Sequence, residues 1–423
     1  MGRLHAVGTA VNSTETVAVA TMDRRTFLAV SGLTVAGTLT GCSTPSDDQQ
    51  GDGATATDAG QTDSSETAVA VETVADGLES PWSITPLPAG SQVLVTERVG
   101  RVVLVDSDDS TVTPVSGAPS VYASGQGGML DAVLHPDFPD PAWVYLTYSK
   151  ANDSGASATH LGRGRLNVTE AQFETFEQLH VAEPFVDSDG HFGSRVVFGP
   201  EELLYMTVGD RQFKDFGPDH VAQDRTNELG TTLRLTPSGG IPESNPFTDD
   251  PNAVDSILSY GHRNAQGMTV HPDTGAIWQA EFGEQDGDEI NIVERGGNYG
   301  WPIADEGCTY GSGDPIGVSH AERDDVVAPV YSWDCGSGGF PPSGATFYTG
   351  DAFPEWTGDL LVGGLASQYL ARFTVDGRTV EEATPLLDGR GWRIRDVAVE
   401  PGTEHVLAVI DAPSAPLVRL RPA

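Results

Sequence analysis

Lysine is nearly missing. A chain of 423 residues carries two, Lys150 and Lys214, so almost all of its 23 basic residues are arginines. Against them stand 61 acidic residues, giving a formal net charge of −38. The acids are spread along the chain and not gathered into one tail. That argues against nucleic acid or an anionic membrane face as a partner, since both would be repelled. A carboxylate-covered surface suits work at high salt, where the Debye length shrinks to about 3 Å at 1 M. At low salt the same surface should repel itself, so stability should depend steeply on ionic strength. Long runs of helical periodicity are also scarce, and 50 glycines and 28 prolines punctuate the chain. Many short strands joined by turns fit that pattern better than helices do.

Cysteine is rare as well, with three in all, and the first is explained by its surroundings. Residues 22 to 42 read MDRRTFLAVSGLTVAGTLTGC. Paired arginines, a short apolar stretch of small residues and a terminal Cys42 have the order of a twin-arginine export signal ending in a lipobox. The stretch is too short and too glycine-rich for a stable membrane span. Cys42 would become the lipidated first residue of the mature protein, with Met22 as its initiator and residues 1–21 as an upstream extension. Residues 43–72 hold almost nothing that could be buried and read as an acidic tether. The expected location is the outer face of the cell membrane, held by lipid alone. Outside the cell Cys308 and Cys335 can pair in a disulfide; separate burial of each is the alternative.

From residue 73 to 423 a loose theme recurs: an apolar run, a turn, then a strand of small residues ending in a polar group. Examples are SQVLVTERVGRVVLV, ELLYMTVGDR, GAIWQAEFGE and HVLAVIDAPSAPLVRL. Six units of roughly 58 residues would each suit a four-stranded blade with long loops. The expectation is an all-β, six-bladed β-propeller of four-stranded antiparallel blades. Its two apolar ends would complete one blade together and so remove exposed strand edges. A sandwich or several small β domains is the alternative.

Within this frame GHFGSRVVF and TVGDR place Asp210 nineteen residues after His191. Imidazole has the intrinsic pKa of a base at neutral pH, and a carboxylate can hold its ring in one tautomer. Arginines gather in GHRNAQG (Arg263, with Asn264 and Gln266) and in WRIRD (Arg393 and Arg395). The latter two, at i and i+2 on a strand, would share a face and converge on one anionic ligand.

These pieces stand in one order with GQGGMLDAVLHPDF, AQDRTNELGTTLRL, GDEINIVERGGNYGWP and FYTGDAFPEWTGDLLVGG. Together the chain resembles the soluble quinoprotein glucose dehydrogenases and aldose sugar dehydrogenases over residues 77 to 423. The resemblance implies oxidation of aldose sugars to lactones by pyrroloquinoline quinone and calcium, with electrons passed to an external or respiratory acceptor. It implies His191 as the base, Asp210 as its support, and Arg263 in the catalytic group. Gln126, Arg263, Asn264, Gln266, Arg393 and Arg395 would line the sugar and cofactor pocket. One calcium would sit on the backbone carbonyls of Gly283 and Glu284, and a second on the Glu289 side chain and the Tyr299 carbonyl, at the usual 2.3–2.6 Å or so. A homodimer is compatible with this picture. Three positions depart from the family pattern: Ala366 replaces a cofactor-binding lysine, Glu284 a proline, and Gly190 an acidic residue. A non-catalytic surface binding module and a calcium-dependent lactonase-type hydrolase are the rival readings. The first has no reason to keep His191, Asp210 and three arginines together. The second would hold calcium on side-chain carboxylates and asparagines.

Overall fold

The computed structural model describes residues 67–423. Among them 24 strands form six four-stranded antiparallel sheets, and the helices are four single turns of three residues. The sheets are the blades of a propeller. Blades 1 to 5 span 81–114, 129–181, 196–260, 265–333 and 342–382, each a meander of consecutive strands. Blade 6 spans 394–422 and takes its outermost strand, Val69–Leu78, from the other end of the domain. Val71 lies opposite Leu420, and Leu78 opposite Ala415. The innermost strands of neighbouring blades pack side by side, blade 6 against blade 1 included, so the ring closes.

That closure corrects one boundary. The domain begins as a strand at Val69, four residues before the expected start at residue 73. Val69 and Val71 pack against the core of blades 5 and 6, so the last residues assigned to the tether belong to the sheet. The export signal, Cys42 and the rest of the tether lie outside the described residues.

The core is a set of layers between blades. Successive side chains of a strand point to opposite faces, and here both faces are covered. Leu407 and Val409 pack toward Val93, Val95 and Val103 of blade 1, whereas Val406, Ala408 and Ile410 pack toward Leu361 and Leu370 of blade 5. A strand buried on both faces reads as a continuous apolar run, which is why VLAVI and QVLV carry no polar alternation. Toward the axis the pairing slips. The innermost strands of five blades shift register near their first residues, at 81–83, 129–132, 265–267, 342–345 and 394–396. Such bulges re-aim side chains, and Asp131, Gln266 and Arg395 sit within or beside them.

Candidate active site

Blade 3 reaches the axis through the turn 190–195. His191, Gly193 and Ser194 all have positive φ, at 46°, 63° and 82°. For histidine and serine that conformation costs about 1–3 kcal/mol each and needs its surroundings to impose it. Here neighbouring blades do so. The His191 amide donates to Gln126 Oε1 at 2.8 Å and the Gly193 amide to Asn264 Oδ1 at 3.1 Å. Thr147 and Thr159 donate their hydroxyls to the carbonyls of Ser194 and Phe192 at 2.6 and 2.8 Å. Gly209 lets the next strand pass so close that a Cβ there would collide with the His191 carbonyl. The following residue is Asp210, which explains why glycine precedes it.

His191 Nδ1 lies 2.6 Å from Asp210 Oδ1. The same carboxylate accepts the Gln212 amide on Oδ1 and the Trp301 indole N–H on Oδ2, both at 2.9 Å. Asp210 is buried, and burial alone would raise its carboxyl. The charges and hydrogen bond of His191, with Arg263 beside it, outweigh burial and hold it low. Burial, helped by the charges of Arg263 and Lys214, lowers the His191 imidazole against the raising effect of Asp210. A neutral ring that donates Nδ1–H to Asp210 leaves the lone pair on Nε2. That is the state a general base requires.

Beside this turn lies a cavity of about 250 Å³ lined by Trp82, Arg98, Gln126, Gln266, Arg393 and Arg395, with Phe282, Leu365 and Asp411 completing the wall. His191 is not itself in that wall; Gln126, which holds its amide, is. Arg393 and Arg395 do converge: each places a guanidinium nitrogen 3.0 Å from Asp411 Oδ2. Arg395 Nη1 also donates to Gln266 Oε1 at 2.8 Å. Three arginines against one carboxylate leave the cavity positive within a strongly negative protein. Moreover Arg395 Nε, Arg263 Nε and Asn264 Nδ2 are buried without a hydrogen-bond partner. Such groups are costly unless something completes them. The donor set therefore suits a planar, acidic ligand.

Below the cavity, Arg195 closes the axis. It donates Nε to the Gln266 carbonyl at 2.7 Å, and pairs with Asp131 at 3.0 Å and Asp396 at 3.1 Å. Its guanidinium lies 4.3 Å from the centre of the Trp82 ring. One residue thus ties together blades 1, 2, 3, 4 and 6.

The remaining candidates cluster on blade 4. Arg263 lines a smaller, second cavity that shares Phe282 with the large one. Its Nη2 meets Glu284 Oε2 at 2.6 Å, and its amide donates to Glu281 Oε2 at 2.9 Å. Gly283 donates its amide to Asp288 Oδ1 at 3.0 Å. Arg263, Glu281, Glu289, Tyr299 and Asp305 line this second cavity of about 10 Å³, the scale of a single small ion or water. Burial first, then Glu281 and Asp305, raise the Glu289 carboxyl far above its ordinary value. Burial likewise pushes Asp305 up to about 7. Among the described residues no three acidic, histidine or cysteine side chains converge as a ready-made metal cluster. Cys308 and Cys335 form a disulfide, with Cα atoms 5.5 Å apart. At the departures, Ala366 is exposed next to Leu365 of the cavity wall, and Gln212 fills the space a side chain at Gly190 would take.

Several contributors escaped the sequence reading. Trp301 stands in the quoted NYGWP segment but shows its role only through its contact with Asp210. Asp411 could have been found by pairing strand 394–399 with strand 406–410: Ile394 lies opposite Ile410, which puts Asp411 beside Arg393. Nothing in the sequence marks Arg195, Asp131 and Asp396 as one group.

Fold and site together define a six-bladed propeller that carries an arginine-walled cavity beside a buried histidine–aspartate pair. Residues 78–419 match the family model described as glucose/sorbosone dehydrogenase, and the chain belongs to that family of oxidoreductases. It is 36% identical over 358 residues to aldose sugar dehydrogenase YliI of Escherichia coli (strain K12), covering 84% of this chain and 93% of the relative. It is 27% identical over 393 residues to quinoprotein glucose dehydrogenase B of Acinetobacter calcoaceticus, covering 76% and 81%. Among solved structures, the apo form of the E. coli soluble aldose sugar dehydrogenase superposes with a TM-score of 0.79 at 35% identity, covering 84% of this chain and all of that one. The PQQ-bound aldose sugar dehydrogenase of Streptomyces coelicolor gives 0.67 at 28% identity, covering 84% and 99%.

Proposed function

We propose that the protein oxidises aldose sugars at the anomeric carbon to lactones, using pyrroloquinoline quinone and calcium. The observation that carries this reading is the pair His191–Asp210, 2.6 Å apart, beside a cavity walled by three arginines. When bound, the quinone supplies a two-electron acceptor and calcium a Lewis acid. Arg393, Arg395 and Gln266 would hold the quinone's acidic groups, with Asn264 and Arg263 offering their unpartnered nitrogens. His191 Nε2 takes the proton of the anomeric hydroxyl while Asp210 keeps the imidazolium in place, and Trp301 keeps Asp210. The carbonyls of Gly283 and Glu284 would carry the catalytic calcium. Glu289 and the Tyr299 carbonyl would carry a second, for which the small acidic cavity has suitable oxygen donors. Electrons would leave to an external acceptor, from a protein exported by the twin-arginine route and tethered through Cys42.

Titration of the purified protein with quinone and calcium, followed by a sugar panel with an artificial electron-accepting dye, tests the reading. A saturable quinone spectrum and calcium-dependent oxidation of aldoses support it. Saturating quinone with no sugar oxidised would leave a binding module instead.

A further inference from the structure

Lys214, one of the chain's two lysines, has no role in the reading above, yet it lies at the site. It follows Asp210 by four residues, its side chain is 53% exposed, and its ammonium donates to both oxygens of Glu284, at 2.5 Å to Oε1. Glu284 is buried, and its Oε2 also accepts from Arg263 at 2.6 Å. Two cations share one carboxylate, and both lie close enough to His191 to act on its imidazole.

The two cations are not equally free. Arg263 is buried, its Nη1 also donates to the Phe282 carbonyl at 3.3 Å, and its backbone is fixed on Glu281. Lys214 reaches Glu284 and, more loosely, the Phe216 ring at 5.7 Å. An ammonium has three donors on a flexible stem, and Glu284 engages two. If Lys214 departs, Glu284 is still paired with Arg263, so no buried charge is stranded.

We propose that Lys214 is a further anion-binding residue of the site, exchanging Glu284 for an acidic group of the bound cofactor while Arg263 retains Glu284. The proposal rests on the quinone reading above. The ligand chemistry it requires is that of a planar polycarboxylate.

Quinone affinity, read from tryptophan fluorescence, gives the first test. Lys214→Met should raise Kd about tenfold, as expected for one charge-assisted hydrogen bond. Lys214→Arg should recover most of that loss. Glu284→Gln should lower Kd about threefold or more, because it releases Lys214 from its internal partner. A second test needs no turnover. With only two lysines, amine-reactive labelling followed by mass spectrometry reads Lys214 against exposed Lys150. In Glu284→Gln, quinone should slow labelling of Lys214 and leave Lys150 unchanged. A Lys214→Met Kd within about twofold of the wild type, or labelling of Lys214 indifferent to saturating quinone, overturns the assignment. A wild-type protein that binds no quinone fails at the earlier step, and so separates the two readings.

Discussion

Arginines meet carboxylates at two levels of the propeller axis, and the two levels are built differently. At the floor, every Arg195 nitrogen has a partner: Gln266, Asp131, and Asp396 with the Arg395 carbonyl. Its two aspartates also cap backbone amides, Asp131 that of Val196 and Asp396 that of Ile84, each at 2.8 Å. At the rim, Arg393 and Arg395 crowd onto one oxygen of Asp411, and Arg395 Nε has no partner. A saturated network specifies structure, whereas an unsaturated one offers donors. The difference teaches which arginines to assign to the fold and which to the ligand. Counting arginine in the sequence could not.

The comparison breaks first at the proposed base, which belongs to neither level. His191→Gln should slow turnover by about 10²–10⁴-fold, the contribution of a positioned base. Its melting temperature and quinone affinity should stay put. A quinone-saturated variant that oxidises sugars at the wild-type rate would make His191 a packing residue.

At the floor, Arg195→Met should act on stability. It strands Asp131 and Asp396 in the interior, a loss of about 3–5 kcal/mol. Even with Arg195 present, burial raises the Asp131 carboxyl and pushes Asp396 up to about 6. A carboxyl raised on folding gives stability that is full below its unfolded pKa and disappears as pH rises through the folded value. Thermal melts should therefore show a smaller deficit for the variant at about pH 5 than at about pH 8. An equal deficit at both would mean that the triad is not a charge network.

At the rim, Arg395→Met should raise the quinone Kd about 10- to 100-fold and move the melting temperature by only a few degrees, near 2–4 °C. Excess quinone should restore its rate. If instead it melts like the floor variant, the contrast between the two levels is wrong.

Much of this was legible beforehand, for physical reasons that differ by residue. The propeller was readable because strands buried on both faces leave continuous apolar runs at regular spacing. Its start was misplaced by four residues because a half-buried outer strand such as Val69–Leu78 looks like polar linker. His191 and Asp210 were readable from the chemistry of an imidazole with a carboxylate partner and from the resemblance, whereas the close approach at Gly193 and Gly209 that unites them shows only in the structure. Arg195 and Asp396 were not, since they stand half the domain apart along the chain and meet only when the ring closes. The resemblance points to the carbonyl of Glu284, whereas in the structure its side chain binds two cations.

The smallest effect in the series tests how Asp210 supports the base. Its two oxygens accept three donors: His191 and Gln212 on one, Trp301 on the other. Asparagine has one accepting and one donating end, so Asp210→Asn must face a donor with a donor. With the amide oxygen toward His191, the Trp301 indole loses its acceptor. With the amide nitrogen toward His191, the ring is driven to the other tautomer and its lone pair leaves Nε2. Either outcome lowers the rate. The charge makes a separate prediction, because Asp210 opposes the burial that lowers the His191 imidazole. Removing that charge should lower the imidazole further, so the acid limb of the kcat/KM profile should move to lower pH in Asp210→Asn even as its plateau falls. The wild-type limb itself should lie below 6.5, the ordinary imidazole value. A limb that stays in place or moves to higher pH would show that Asp210 does not act on His191 through its charge.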